Sequence, residues 1–130
     1  MESDGIRIVL IDDDDAIATL LEVSFELDPR FVLVARGSDG AEALELVRLH
    51  RPDAVLMDLQ MPKVGGIEAT RLLLEDDPSC CVIAFTATSD ERQFEAILEA
   101  GAVAVLRKPF DPVAFLDAVE KHAADCARAA

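Results

Sequence analysis

Short apolar runs alternate with longer amphipathic segments along the chain. Each apolar run is nearly continuous, a pattern typical of strands that a parallel sheet buries on both faces. The runs that predict strands are Ile8–Ile11, Phe31–Ala35, Ala54–Met57, Cys81–Phe85 and Val103–Leu106. We therefore expect five strands, with helices covering both faces of the sheet that they form.

The longer segments repeat apolar residues at the spacing of an α-helix. The residues that share a helical face are Ile17, Leu20, Leu21 and Leu27, then Ala43, Leu44 and Val47, then Phe94, Ile97 and Leu98, and finally Phe115, Leu116 and Val119. A further helix is predicted from Ile67 to Glu75. Asp39 with Glu42 has the spacing of a capping box, and Ser89 or Asp90 could cap the fourth helix.

The order of these elements predicts an α/β fold of the (βα)5 type. Right-handed crossovers between parallel strands place helices on both faces of the sheet. For five strands we predict a flavodoxin-like, doubly wound parallel sheet with strand order 2-1-3-4-5. In such sheets ligands bind beyond the carboxyl ends of the strands, where the strand order reverses. The 130 residues suit a single domain.

Composition narrows the possible functions. The chain has 26 acidic and 12 basic residues, a formal net charge of −14 and 52% apolar residues. The negative charge argues against direct nucleic-acid binding, which requires a basic face. It suits a domain that binds cations or basic protein surfaces, although solubility alone also explains it. No apolar run is long enough to span a membrane and no signal-peptide pattern is present, so we expect a soluble, cytoplasmic protein.

The three cysteines, Cys80, Cys81 and Cys126, form no pattern of a disulfide or metal site. Their number is odd and no Cys-x-x-Cys spacing occurs, which argues against a disulfide framework and a zinc site. Thiols of cytoplasmic proteins are kept reduced. We therefore expect three reduced thiols.

Polar residues follow four of the predicted strands, at the point where each strand ends. Asp12 and Asp13 follow the first strand, Asp58 the third, Thr86 the fourth and Lys108 the fifth, after one intervening residue. These strands are neighbours in the predicted sheet, so we expect the side chains to converge on one pocket. Taken singly, an aspartate at such a position could simply cap a helix. The threonine could likewise be a turn residue and the lysine an exposed one.

The residue types at these positions suit phosphoryl transfer. Three close carboxylates cannot all stay ionised without a cation among them, and hard oxygen ligands of this kind suit Mg²⁺. An aspartate can attack phosphorus to give an aspartyl phosphate. An ammonium and a hydroxyl would neutralise and hydrogen-bond the phosphoryl oxygens, which is most of what the reaction requires.

At these positions the sequence resembles the receiver domain of bacterial two-component response regulators. Four pieces carry the resemblance in order: VLIDDDD, VLMDLQMPKVGGIE, FTA and RKPF. The resemblance covers about Ile6 to Ala123 of a single domain of residues 1–130. It implies a phosphorylation-dependent switch in a two-component system or phosphorelay. Such a domain catalyses its own phosphorylation and dephosphorylation and is not an enzyme for an external substrate.

The resemblance also implies a role for each residue. Asp58 would be the phosphoacceptor, Lys108 would contact the phosphoryl group and Thr86 would turn toward it. The Lys108–Pro109 peptide bond would be cis, which places the lysine correctly. The implied ligands of Mg²⁺, or of Mn²⁺ in its place, are the carboxylates of Asp13 and Asp58, that of Asp12 largely through water, and the backbone carbonyl of Gln60.

The family also implies partners for the chain. A histidine kinase or a histidine phosphotransfer protein would donate the phosphoryl group. Phosphorylation would shift the face built by helix four, strand five and helix five between two arrangements, and so control an output domain or a partner protein. No membrane contact is implied. The chain ends in HAADCARAA after the fifth helix, which fits a free-standing receiver and one module of a longer protein equally.

One position departs from the family pattern. Many receivers carry an aromatic residue on strand five shortly before the Lys-Pro step, and its inward turn accompanies movement of the threonine. That position is Val105 here, and the chain has no Tyr or Trp. We therefore expect normal phosphoacceptor chemistry, with Thr86 and Val105 as the switch positions of a weaker or differently routed response.

Three alternatives have less support. A haloacid-dehalogenase-type enzyme also uses an aspartate nucleophile and Mg²⁺, but its Asp-x-Asp motif continues differently from Asp12–Ala16, and the chain is short for a cap domain. A pseudo-receiver would bind proteins without being phosphorylated, although all five key residues are present. A calcium loop of the EF-hand type would need a spacing and a glycine that Asp12–Asp15 lack.

Overall fold

The computed structural model describes residues 5–61, 64–108 and 111–129. The elements alternate in the order β1 (Ile6–Ile11), α1 (Asp15–Leu27), β2 (Phe31–Gly37), α2 (Gly40–His50), β3 (Ala54–Asp58), α3 (Gly66–Asp76), β4 (Val82–Thr86), α4 (Glu91–Ala100), β5 (Ala104–Arg107) and α5 (Pro112–Ala129). All paired strands are parallel, and their order in the sheet is β2-β1-β3-β4-β5. The predicted α/β fold, alternation and strand order are therefore confirmed.

The sheet separates two apolar layers, because successive side chains of a strand point to opposite faces. In β1, Ile8 and Leu10 pack into the layer that also holds Phe115 of α5, whereas Val9 and Ile11 pack into the other. All four β1 side chains have no exposed surface. Burial on both faces leaves the ends of the central strands as the places where polar side chains can meet.

Helix α1 buries a different face from the one that the spacing of its leucines predicts. Its buried residues are Ala18, Leu21 and Phe25, which form one stripe at helical spacing. Leu20 and Leu27, which the sequence predicts to lie on the inner face, are 45% and 79% exposed. The large ring of Phe25 occupies the core instead. Among the described residues, no helix has the length and apolarity that crossing a membrane requires.

Side-chain caps begin several helices and agree largely with the sequence. Asp39 accepts hydrogen bonds from two N–H groups in the first turn of α2. The carboxylate of Glu42 accepts from the N–H of Ser38, one residue before the position that a capping box predicts. Of the two candidates for α4, Asp90 is the cap and Ser89 precedes it. These caps fix where α2 and α4 leave the carboxyl edge of the sheet.

The prediction of three reduced thiols is wrong. Cys81 and Cys126 form a disulfide, with Cα atoms 6.0 Å apart and a sequence separation of 45. Cys80 is a free thiol. Cys81 directly precedes β4, and the bond joins this end of the strand to the C-terminal part of α5. Only the folded arrangement brings the two residues together, so their spacing in the sequence carries no sign of pairing.

Candidate functional site

Three carboxylates converge at the carboxyl edge of the sheet, where β1 and β3 lie side by side. Asp12 and Asp13 follow β1, and Asp58 is the last residue of β3. One oxygen of each residue lies within 4.8 Å of the others. Asp12 has no exposed surface and Asp58 is 4% exposed, whereas Asp13 is open to solvent. The structure thus brings together the carboxylates that the sequence predicts to meet, and we call Asp12, Asp13 and Asp58 the acidic cluster.

The ammonium of Lys108 faces the acidic cluster. Its Nζ lies 3.4 Å from Oδ2 of Asp58 and 3.7 Å from Oδ2 of Asp12. The backbone N–H of Lys108 donates to the carbonyl of Thr86 at 2.8 Å, so the pairing of β4 with β5 positions the lysine. The expected cis bond involves Pro109, which lies outside the described residues.

Phe85 lies beneath the lysine and was not singled out by the sequence. The Lys108 ammonium is 4.7 Å from the centroid of its ring, a distance at which the ring attracts a cation. Phe85 is fully buried, one residue before the end of β4. In the sequence it is an apolar strand residue and the first residue of FTA, and neither feature indicates that a cation will lie over its ring.

The two buried carboxylates are held in the same way. Oδ1 of Asp12 accepts from the N–H of Asp14 at 3.0 Å, and Oδ1 of Asp58 accepts from the N–H of Gln60 at 3.3 Å. In each residue the other oxygen, Oδ2, is the atom closest to the Lys108 ammonium. The backbone therefore orients one oxygen of each carboxylate and leaves the second for a cation.

Burial raises the pKa of Asp58 to about 7, the adjacent carboxyl of Asp12 adds to the rise, and the Lys108 ammonium opposes it. One ammonium cannot balance the three carboxylates of the cluster. Such a pocket takes up either a proton or a further cation. With a proton on Asp58, its hydroxyl can donate to Asp12. Without that proton, the surplus negative charge calls for a metal ion.

The donor set of the cluster fits a hard divalent cation. Oδ2 of Asp12 is buried and accepts no hydrogen bond from any residue that the structure describes. Asp13 stands at the solvent side, which leaves room for the water ligands that Mg²⁺ retains. The side chain of Gln60 is exposed, and its backbone lies beside Asp58. A carbonyl contact from Gln60 to the ion stays a prediction.

Thr86 is linked to the start of α4 through a short hydrogen-bonded chain. Its buried hydroxyl oxygen accepts from the N–H of Thr88 at 3.1 Å, and the hydroxyl oxygen of Thr88 accepts from the N–H of Asp90 at 3.2 Å. Asp90 is the N-cap of α4. The sequence shows a threonine after β4 but gives Thr88 no role. Displacement of the Thr86 hydroxyl would therefore disturb the loop that begins α4.

Val105 packs against the apolar core. It pairs with Ala84 of β4, is half-buried and packs against the apolar layer that contains Ile97 of α4. Two residues later, Arg107 pairs with Thr86 in the sheet. The role of Val105 as a switch position stays a prediction.

Gly66, the first residue of α3, packs against the backbone of Asp58. Its N–H donates to the carbonyl of Leu59 at 3.1 Å. A Cβ atom at Gly66 would lie 2.3 Å from the carbonyl oxygen of Asp58, which no side chain can occupy. Only glycine fits here, and the close approach holds the end of β3 in place.

Comparison with protein families places the whole site within one known family model. The model described as response regulator receiver domain matches residues 8–120. The transcriptional regulatory protein DegU of Brevibacillus brevis is 39% identical over 115 residues, which cover 88% of this chain and 49% of DegU. The polar-differentiation response regulator DivK of Brucella anthropi is 39% identical over 95 residues, which cover 69% of this chain and 75% of DivK.

Other relatives are considerably longer than this chain. A protein-glutamate methylesterase/protein-glutamine glutaminase of Myxococcus xanthus is 39% identical over 113 residues, which cover 86% of this chain but 32% of that protein. The chain thus spans about half or less of the length of several curated relatives that it matches.

Solved structures show the same architecture. The signal receiver domain of the putative response regulator NarL from Mycobacterium tuberculosis superimposes with a TM-score of 0.88 at 26% identity, covering 93% of this chain and 98% of that one. A two-component response regulator of the LuxR family from Aurantimonas sp. has a TM-score of 0.87 at 34% identity, covering 93% of this chain and 86% of that one. The similarity extends over nearly the whole chain, including the strands that carry the acidic cluster.

Proposed function

Because the chain belongs to the family of response regulator receiver domains, a component of two-component signalling, we propose that it is a phosphorylation switch with Asp58 as the phosphoacceptor. One observation carries the proposal: the free oxygen of a buried carboxylate faces an ammonium inside a cluster of further carboxylates. The distance from Oδ2 of Asp58 to Nζ of Lys108 is 3.4 Å, and the carboxylates lie within 4.8 Å of one another. A nucleophile, a fixed positive charge and hard oxygen ligands thus meet at one place.

The Asp58 carboxylate acts as the nucleophile toward a phosphohistidine donor. One carboxylate oxygen attacks phosphorus, a new O–P bond forms, the N–P bond breaks, and the imidazole leaves. Lys108 neutralises one phosphoryl oxygen, and the Thr86 hydroxyl donates a hydrogen bond to another. Attack by water later releases inorganic phosphate and restores the carboxylate. The chain therefore catalyses its own modification and does not turn over an external substrate.

The acidic cluster serves as the metal site of this reaction. Asp12, Asp13 and Asp58 would hold Mg²⁺, or Mn²⁺ in its place, together with the carbonyl of Gln60. When bound, the ion supplies positive charge to the phosphoryl oxygens. Asp12 and Asp58 enter with one oxygen each already held by a backbone N–H, so little ordering remains to be done on binding.

A histidine kinase or a histidine phosphotransfer protein is the proposed donor, and an output domain or a partner protein is the proposed receiver of the signal. DegU is a transcriptional regulatory protein and the Myxococcus relative is a methylesterase, so similar receivers are found with different outputs. The net charge of −14 supports a domain that does not itself bind nucleic acid. We propose that it acts in the cytoplasm, without membrane contact.

Phosphorylation of the purified chain tests the proposal. The protein is incubated with acetyl phosphate and Mg²⁺, and its intact mass and modified peptide are determined promptly by mass spectrometry. We expect one added phosphoryl group on Asp58, which is absent in Asp58→Asn. Asp53→Asn, just before the other end of β3, is the matched control and should be modified like the parent.

Two outcomes would count against the proposal. An unmodified parent protein, folded and supplied with Mg²⁺, would favour a pseudo-receiver that only binds proteins. Steady release of phosphate from excess of a small ester would favour an enzyme of the haloacid-dehalogenase type. The EF-hand alternative has no support in the structure, since Asp12–Asp15 runs from the end of β1 into α1.

A further inference from the structure

Three cysteines meet at the edge of the sheet opposite the acidic cluster. Cys81 directly precedes β4 and is bonded to Cys126 of α5. Cys80, the preceding residue, is a half-buried free thiol. Thr86 ends the same strand at the carboxyl edge. One short strand therefore has the disulfide at its start and a residue of the proposed phosphorylation site at its end.

The disulfide adds a covalent bond to the apolar packing of α5 against the sheet, in which Val119 and Ala123 share a core layer with Phe85. Near the carboxyl edge, the rings of Phe85 and Phe115 pack edge to face with centroids 6.1 Å apart. Cys126 lies eleven residues after Phe115, which places it about 16 Å farther along the helix. The disulfide thus adds a covalent link near the C-terminal end of α5, beyond Ala123, whose side chain packs in the core.

Cavities beside the disulfide give small molecules access to it. One of about 620 Å³ is lined by both bonded cysteines together with Arg30 and Glu120. Another of about 380 Å³ is lined by Cys126 and the free thiol Cys80. Each bonded cysteine borders a further cavity besides the shared one, but Cys126 is half-buried whereas Cys81 is only 4% exposed. Cys126 is therefore the more accessible of the two to a reductant.

The neighbouring free thiol does not compete for the bond. Burial raises the pKa of the Cys80 thiol to about 11, and the charges of Asp77 and Asp76 add to the rise. The attacking species in thiol–disulfide exchange is the thiolate, which Cys80 scarcely forms at neutral pH. The Cys81–Cys126 pairing is consequently protected from rearrangement within the chain.

We propose that Cys81 and Cys126 form a reversible redox site, reduced by dithiols, that fastens the C-terminal part of α5 to the sheet when oxidised. A thiolate of the dithiol attacks Sγ of Cys126, the S–S bond breaks, and Cys81 leaves as a thiolate that takes up a proton. The second thiol of the reductant then displaces Cys126 from the mixed disulfide. The reductant gives up two electrons and two protons and leaves as a disulfide.

The surroundings favour this class of reductant and allow the fold to survive reduction. A net charge of −14 disfavours anionic glutathione relative to a neutral dithiol. Cys81 packs within the apolar layer, where a reduced cysteine behaves as a small apolar side chain. Phe115 continues to hold the start of α5. The proposal does not depend on phosphorylation of Asp58.

The experiment compares the chain equilibrated with oxidised and with reduced dithiothreitol. After acid quenching and unfolding, alkylation followed by mass spectrometry should modify Cys80 alone in the oxidised protein and all three cysteines in the reduced one. Reduction should lower the Tm by about 10 °C, because a loop of this length is no longer closed in the unfolded chain. Amide hydrogen exchange should accelerate in residues 120–128 and stay unchanged in α2.

Two variants separate the disulfide from general thiol effects. Cys126→Ser should have the Tm of the reduced parent and no response to dithiothreitol, and Cys80→Ser is the matched control that should respond fully. With glutathione in place of dithiothreitol, reduction should be slower. The proposal is overturned by three alkylated cysteines in the oxidised protein, by loss of the response in Cys80→Ser, or by unchanged exchange in α5 after reduction. Because the parent alone gives the alkylation and exchange results, a poorly folding variant leaves the test intact.

Discussion

The guanidinium of Arg107 lies over the ring of Phe94, with its Cζ atom 4.7 Å from the ring centroid. The contact joins β5 to α4, two residues beyond Val105. Arg107 is also the residue that pairs with Thr86 in the sheet. The cation–π contact between Arg107 and Phe94 therefore links the strand partner of Thr86 to α4. It does so in the strand where the chain has Val105 in place of an aromatic residue.

Breaking this pair should impair signalling to α4 without impairing phosphorylation. Arg107→Gln removes the charge, Phe94→Leu removes the ring, and both keep much of the apolar contact. We expect each to lower the free energy of unfolding by about 0.5–1 kcal/mol. Because both changes break the same contact, the double variant should lose little more than either single variant. Urea unfolding gives the energies, and hydrogen exchange of α4 before and after phosphorylation gives the response.

The conservative and control variants define what would contradict this route. Arg107→Lys keeps a cation and should keep most of the α4 response. Leu98→Ala alters an exposed side chain of the same helix, 47% accessible, and should leave the response intact. An unchanged α4 response in Arg107→Gln would show that the signal reaches the helix by another path.

The pKa of Asp58 predicts how stability depends on pH in the absence of metal. The folded-state pKa is raised from 3.8 to about 7, so the protonated carboxyl favours the fold at low pH, and this contribution is lost as the pH rises from about 4 through about 7. Between about pH 6 and pH 8 the free energy of unfolding should fall by about 1 kcal/mol. Urea titrations in EDTA measure the change.

Asp58→Asn is the control for this dependence, because an amide does not titrate. Its free energy of unfolding should lack the fall that the parent shows over the same interval. Equal slopes in the parent and in Asp58→Asn would mean that other groups cause the dependence.

Magnesium should stabilise the folded chain through Asp13 and the rest of the acidic cluster, and not through Asp14 or Asp15 of the same run. At ten times its Kd the ion should raise the free energy of unfolding by about 1.4 kcal/mol, since only the folded chain assembles the acidic cluster. Asp13→Asn should lose most of this gain. The Tm with Mg²⁺ and with EDTA provides the measurement at about pH 7.5, where Asp58 is largely ionised.

Asp15→Asn is the matched variant, an exposed aspartate of the same run that pairs with Arg36 outside the cluster. It should respond to Mg²⁺ like the parent. If both variants lost the response equally, the ion would be recognising the charge of the run rather than the cluster.

Adding one methyl group at Gly66 should disturb the proposed phosphorylation site through the backbone of Asp58. In Gly66→Ala the new Cβ would lie 2.3 Å from the Asp58 carbonyl oxygen, so α3 or β3 must shift. We expect a loss of about 1–3 kcal/mol in unfolding free energy and slower phosphorylation by acetyl phosphate. Gly65→Ala meets only an ordinary contact of 3.7 Å and should stay within about 0.5 kcal/mol of the parent. A fully active Gly66→Ala would show that the end of β3 tolerates displacement.

The sequence predicts the fold well because its strongest signals are local. Continuous apolar runs mark the strands, and the residue that follows each run is automatically placed at the carboxyl edge of a parallel sheet. This reasoning alone predicts that Asp12, Asp58 and Lys108 meet. It slightly misplaces strand ends, since β1 begins at Ile6 and β3 includes Asp58.

What the sequence could not predict depends on the packing of residues from different elements. The Cys81–Cys126 bond needs α5 to lie at a particular height along β4, which no spacing rule encodes. The stacking of Arg107 on Phe94 depends on the direction of two side chains from separate elements. The inward face of α1 was likewise decided by the ring of Phe25 rather than by the leucines that the helical pattern emphasises.

The number of residues in the acidic run after β1 also determines how helix α1 is oriented against the sheet. Three residues separate the end of β1 from the start of α1, and each residue of a helix turns the chain by about 100°. Deletion of one aspartate would leave an acidic pair and a capping aspartate in the sequence. It would nevertheless rotate the buried stripe of α1 away from the sheet. The number of aspartates is thus set by the orientation of a helix, while their charge serves the cluster. Such a deletion would preserve the acidic motif but would disturb the packing of the core.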